Sequence, residues 1–166
     1  MGATLQCVRT LTGGPPVIEY YALITGANVR DGVPLRMNKT SPGSVQSCSA
    51  AATGIIGVAG ITYDATATEK TKHIPVIVAC RTNVFRGVGL TTTGVAAKIR
   101  GDMIDLKASG STWGVDSGAS TTKACKVVNC RDEDKAKTGI TGSRIRYFDF
   151  IFAYAKSQYD GAMEVD

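Results

Sequence analysis

The sequence of 166 residues predicts an all-β fold, a small single-domain barrel or sandwich of short antiparallel strands. Three observations carry that expectation. The stretch RIRYFDFIFAYAKSQYD, residues 144–160, places three Phe and two Tyr within eight positions. In an extended strand Phe148, Phe150, Phe152 and Tyr154 share one face, and Ile145, Tyr147, Asp149, Ile151, Ala153 and Ala155 share the other. Aromatic and β-branched enrichment favours a strand over a helix there. Nineteen Gly, with abundant Thr, Ser and Val, supply turns between short strands. No segment longer than a turn or two combines helical periodicity with capping residues.

Taken in order, the first part of the chain, to about Thr53, is dominated by turn clusters, Gly13-Gly14-Pro15-Pro16 and Asn38 to Gly43. One strand, Val17 to Ile24, stands between them, and the small, polar stretch Ser41 to Ala52 has little to bury. Residues 1–53 are therefore expected to form an N-terminal arm or loosely packed segment, ordering against a partner. A chain cut before Pro15 is expected to keep its fold.

From Gly54 the pattern tightens into a barrel core over 54–166. GIIGVAGITY reads as a strand ending near Tyr63, and Ile74 to Cys80 as a buried strand with Pro75 near its start, where a missing N–H costs least. Asn83 to Arg86 reads as its continuation or a hairpin return. Asp102 to Leu106 and Ala124 to Asn129 follow, with a Gly/Ser turn carrying Trp113 between them. The aromatic strand closes the core and SQYDGAMEVD forms a short polar tail.

A hydrophobic share of 43% against 20% charged residues suits a globular domain with a sizeable core. The net charge of +5 is spread without basic blocks, so a nucleic-acid arm is not expected and an acidic partner surface is acceptable. No run of about 18 apolar residues predicts a spanning helix. MGATLQCVRT has no apolar run behind a basic start, so no secretory signal is expected, and Gln6 fails the myristoylation pattern. Cys7, Cys48, Cys80, Cys125 and Cys130 form no C-x-x-C pair. Regular alternation puts Cys125 and Cys130 on opposite strand faces, so buried thiols in a reducing compartment are expected.

Catalytic sets are not visible. His73 is the sole His, beside Lys72 at a strand start, and without a partner it reads as a surface residue. Asp132-Glu133-Asp134, flanked by Arg131, Lys135 and Lys137, reads as a solvated turn rather than a cation site. Asp102 and Asp105 fall on opposite faces, and Gly87-Val88-Gly89 reads as a turn. No cofactor, metal site or catalytic residue is expected. Asn38-Lys39-Thr40 matches a glycosylation acceptor but carries little weight without a secretion signal.

The succession GIIGVAGITY, HIPVIVACRTNVFRG, GDMIDL, GVDSG, KACKVVNCRDEDK and the aromatic strand, Gly54 to Tyr159, resembles the small β-rich head proteins of tailed bacteriophages that decorate or cement the capsid. The resemblance implies a non-enzymatic virion protein on the capsid exterior, made in the host cytoplasm and stabilising the shell by bridging neighbouring major capsid subunits. It implies a homo-oligomer, commonly a trimer. The second apolar face of the last strand, with Tyr147, Ile151 and Ala153, is the expected oligomer interface. Leu5, Val8, Arg9 and Leu11 are the expected contacts of an arm lying along the capsid protein. Three other classes stay open: a nucleic-acid-binding barrel, a glycan-binding head-fibre module with exposed Trp113 and Tyr residues for stacking, and a head-completion or tail-tube subunit.

Overall fold

Thirteen strands build two β systems around one shared core in the computed structural model, which describes residues 5–41, 43–48, 54–64, 72–90, 100–109, 112–116, 124–133 and 145–153. The strands are β1 (Gln6–Thr10), β2 (Ile18–Leu23), β3 (Asn28–Val29), β4 (Pro34–Met37), β5 (Ser44–Ser47), β6 (Ile55–Ala59) and β7 (Tyr63–Asp64). They continue with β8 (His73–Val78), β9 (Asn83–Val88), β10 (Met103–Ser109), β11 (Thr112–Asp116), β12 (Cys125–Glu133) and β13 (Ile145–Phe152). Among the described residues no helix is long and apolar enough to cross a membrane. Tyr154, Asp134 and the polar tail lie outside the described residues.

β2, β5, β4, β6 and β8 close into a barrel, with β3 and β7 paired as a two-residue ribbon beside it. The remaining strands form a sheet in the order β1-β9-β13-β12-β10-β11. That sheet curls until β11 returns to the end of β9 through a parallel bridge between Gly89 and Val115, where the Leu90 N–H donates to the Val115 carbonyl at 2.9 Å. Gly114 makes the return possible. Any Cβ there would run into the Val88 carbonyl oxygen and the Leu90 side chain, so the backbones meet only because that side chain is absent.

In chain order the whole barrel is inserted between β1 and β9, which pair with each other in the sheet. The expectation of a loosely packed arm over 1–53 is therefore corrected. This part carries β1, an edge strand of the sheet, and β2, β4 and β5 of the barrel, and Leu23, Val29, Leu35 and Val45 are buried. The expected strand Val17 to Ile24 is β2, and the sequence hid the others because they are only two to five residues long, and β4, buried at Pro34 and Leu35 and half-buried at Arg36 and Met37, shows no alternation to read. Asn83 to Arg86 is also neither a continuation nor a hairpin return of β8. As part of β9 it belongs to the other sheet.

One buried side chain holds the neck where the chain passes into and out of the barrel. Asn83, at the start of β9, is fully buried. Its Nδ2 donates to the carbonyls of Val17 (3.2 Å) and Val78 (2.9 Å), and its Oδ1 accepts from the Val17 N–H (3.2 Å). The two barrel ends are also joined directly, the Val78 N–H donating to the Val17 carbonyl at 3.0 Å. A side-chain amide suits this place because it offers donors and an acceptor to backbone groups that the ladders leave unserved.

The aromatic strand packs as its parity predicts. Phe148, Phe150 and Phe152 are buried. Phe85 of β9 meets Phe152 edge-on at 5.0 Å between centroids, and Phe150 meets Phe152 edge-on at 5.6 Å. These are the offset geometries that ring quadrupoles favour.

β12 departs from simple alternation. A bulge between Val127 and Asn129 inserts one residue, so Cys125 faces Phe152 and Cys130 faces Phe148. Both thiols thus lie on the inner face, correcting the expectation of opposite faces. All five cysteines are free.

Candidate interaction surface

Tyr147 and Ile151 lie on the outward face of β13 and Ala153 just beyond its end, each half-buried. They flank a polar centre that the sequence alone does not reveal. Asp149, only 6% exposed, sits directly opposite Arg86 on β9. The Arg86 Nε donates to one carboxylate oxygen at 2.7 Å and Nη2 to the other at 3.0 Å. This two-pronged pairing compensates the burial of a carboxylate and fixes the β9–β13 register. Tyr147 stands opposite Val88, and Ile151 opposite Lys126 of β12, so the surface is mixed rather than purely apolar.

The four expected arm contacts separate. Leu5 is a core residue at 2% exposure, its N–H donating to the Gly32 carbonyl at 3.2 Å, and its Cδ2 presses on Gly87 beside Val115. It cannot touch a capsid, and this is a correction: a leucine at the junction of sheet and barrel fills the space that Gly87 leaves. Val8 is the bulged residue of β1, half-buried, while Arg9 is exposed and Leu11 is 50% exposed just beyond the strand. These three remain at the surface, but on a docked strand and its turn. Cutting the chain before Pro15 would strip Leu5 and β1 from the sheet, so the expectation that the shortened chain keeps its fold is withdrawn.

A second surface escapes the sequence reading. Ile18 and Tyr20 on β2 are 48% and 68% exposed, and the register sets them against Ile77 and Pro75 of β8. Ile61, just beyond Gly60, is exposed as well, and Gly60 donates its N–H to the Pro75 carbonyl at 2.9 Å. The stretch VIEYYAL is apolar on both parities, so spacing alone does not tell which face meets water. Tyr21, Glu19 and Leu23 take the inner side, the Tyr21 hydroxyl donating to the Glu19 carboxylate at 2.6 Å.

Other chemistry-bearing groups serve the fold. Trp113 lies in β11, not in a turn, and is 6% exposed. Asp105 is buried and accepts the Ala124 N–H at 3.2 Å. Burial pushes the Cys125 thiol well up, with the Asp105 charge adding to it, and pushes Cys48 up to about 12 against the opposing charge of Arg36. Cys7 is raised chiefly by burial. His73 opens β8, exposed. The Asn38 side-chain oxygen accepts the N–H groups of Thr40 and Ser41, closing a turn. β12 runs through Glu133, so Asp132 and Glu133 belong to a strand rather than a turn. Among the described residues no group of three or more His, Cys, Asp or Glu is placed to hold a metal ion. Comparison of the chain with protein-family models, curated proteins and solved structures finds no match.

Proposed function

We propose that this protein is a structural virion component that seats on the outer surface of an assembled phage capsid and bridges neighbouring major capsid subunits, as a trimer. The observation that carries this reading is the apolar face of β2 and β8, with exposed Ile18 and Tyr20 beside half-buried Pro75 and Ile77 on a closed barrel. A contiguous apolar patch on a rigid element is the kind of surface that docks on another macromolecule. The resemblance of residues 54–159 to capsid decoration proteins names the class of partner, and the scattered positive charge suits an acidic shell.

Two of the open alternatives lose the aromatic residues first named for them. The β13 aromatics offer no platform for stacking nucleic-acid bases, because Phe148, Phe150 and Phe152 are buried. Glycan stacking on Trp113 needs an exposed indole, which this one is not, so that reading is left with exposed tyrosines such as Tyr20. In the proposed trimer Tyr147, Ile151 and Ala153 meet a neighbouring subunit, leaving the barrel patch for the shell. The test is co-sedimentation of the purified protein with shells stripped of it. Saturable binding, lost in Ile18→Lys/Tyr20→Lys, is expected. Binding undiminished in that folded variant would remove the barrel patch from the reading.

A further inference from the structure

We infer that the outer edge of β2 accepts an extended segment of the capsid subunit as an added strand, so that the shell is held by backbone hydrogen bonds and not by apolar contact alone. This inference rests on the capsid-binding reading. The β2–β8 ladder fixes which backbone groups are available. The Val78 N–H bonds to the Val17 carbonyl and the Leu23 N–H to the Lys72 carbonyl, so odd-numbered residues of β2 face β8. Ile18 and Tyr20 consequently turn their N–H and C=O groups away from β8. On that side β5 pairs only with Ala22 and Leu23, because the chain before Ser44 turns back towards β4, the Asn38 N–H bonding to the Ser44 carbonyl. Among the described residues no strand lies alongside Ile18 to Tyr20 on that side. An unpaired edge bearing two exposed apolar side chains is a template for strand addition.

The edge is poorly suited to a second copy of itself in the two-fold registers centred on its own residues. Centring on Glu19 sets that carboxylate opposite its own symmetry mate, and like charges directly opposite are destabilising. Centring on Tyr20 requires the Ala22 edge that β5 already occupies. Centring on Ile18 places Tyr20 against Pro16, which has no N–H to give. A different chain avoids all three obstacles, with apolar residues at alternate positions to cover Ile18 and Tyr20.

Amide exchange of the free protein and binding of its variants to stripped shells test this together. The Ile18 and Tyr20 amides should exchange far faster than those of Glu19 and Tyr21 in the free protein, and become protected on shells. Slow exchange at Ile18 and Tyr20 in the free protein would overturn the open edge whatever the shell does. Tyr20→Pro removes the outward N–H without touching the β8 ladder, an edge position where proline is tolerated. It should weaken shell binding by about 10-fold, as expected for one or two lost hydrogen bonds, and by more than Tyr20→Ala does. Tyr20→Pro binding as well as wild type would overturn the strand addition alone. Failure of the wild type to bind shells would overturn the capsid reading and the occupant with it.

Discussion

Replacing Asn83 tests how the barrel is joined to the sheet. Its three hydrogen bonds to Val17 and Val78 run at 2.9–3.2 Å in a fully buried site. Each such bond contributes about 1 kcal/mol net, and an abandoned buried acceptor costs about 1–3 kcal/mol more. Val17 is 40% exposed and can turn to water, whereas the Val78 carbonyl lies with a fully buried residue and cannot. Asn83→Ala should therefore cost about 2–4 kcal/mol. For a domain of this size that lowers the melting temperature by about 5–15 °C, read by calorimetry or circular dichroism at pH 7. Asn83→Asp should cost more at neutral pH, since a carboxylate oxygen would face two carbonyls. Burial raises that carboxyl above its unfolded value of about 3.9, so the deficit should be smallest near pH 4 and grow as pH rises through the folded value. A melting temperature for Asn83→Ala within 2 °C of wild type would refute the neck as a structural joint.

Other consequences follow from the core and the outward face of β13. Phe150→Ala, opening the cluster with Phe85 and Phe152, should cost about 3–5 kcal/mol by denaturant titration, and a loss under 1 kcal/mol would contradict the packing. Arg86→Met should leave the buried Asp149 carboxylate without its partner and destabilise the fold by about 1–3 kcal/mol, less in Arg86→Met/Asp149→Leu, where no charge is stranded. The Cys48 and Cys125 thiols stay protonated in the fold, Cys48 up to about 12, while the unfolded chain ionises near pH 9. Their contribution to stability is thus complete below pH 9 and lost as pH rises above it, so melting temperatures should fall on the alkaline side. A thiol reagent at pH 8 should spare both until the chain unfolds. Tyr147→Glu and Ile151→Glu should dissociate the proposed trimer in sedimentation while far-ultraviolet circular dichroism is retained; an intact oligomer would move the interface elsewhere.

Legibility of the fold tracked how regular each strand is. Phe148, Phe150 and Phe152 could be placed inward because two-residue alternation survives across β13. The same rule failed in β12, where one bulged residue flips the parity of everything after it and carries Cys130 inward. β2 and β6 were read as strands, but β4 and β5 of the barrel were missed because closure, not composition, buries them: β4 is buried at Pro34 and Leu35 and half-buried at Arg36 and Met37, so it shows no polar face. Pairs distant in sequence were not legible either. Arg86 and Asp149 meet across 63 residues, and Asn83 reaches back 66 to Val17. Tyr20 escaped notice because both parities of its strand are apolar, and the β8 register decides which one faces out.

Density-gradient fractionation of the source material, probed with an antibody against this chain, tests the central proposal most directly. Co-migration with DNA-filled particles, with stripping and rebinding that leave the shell intact, is the expected result. Recovery of the chain only among soluble proteins at the top of the gradient would contradict it.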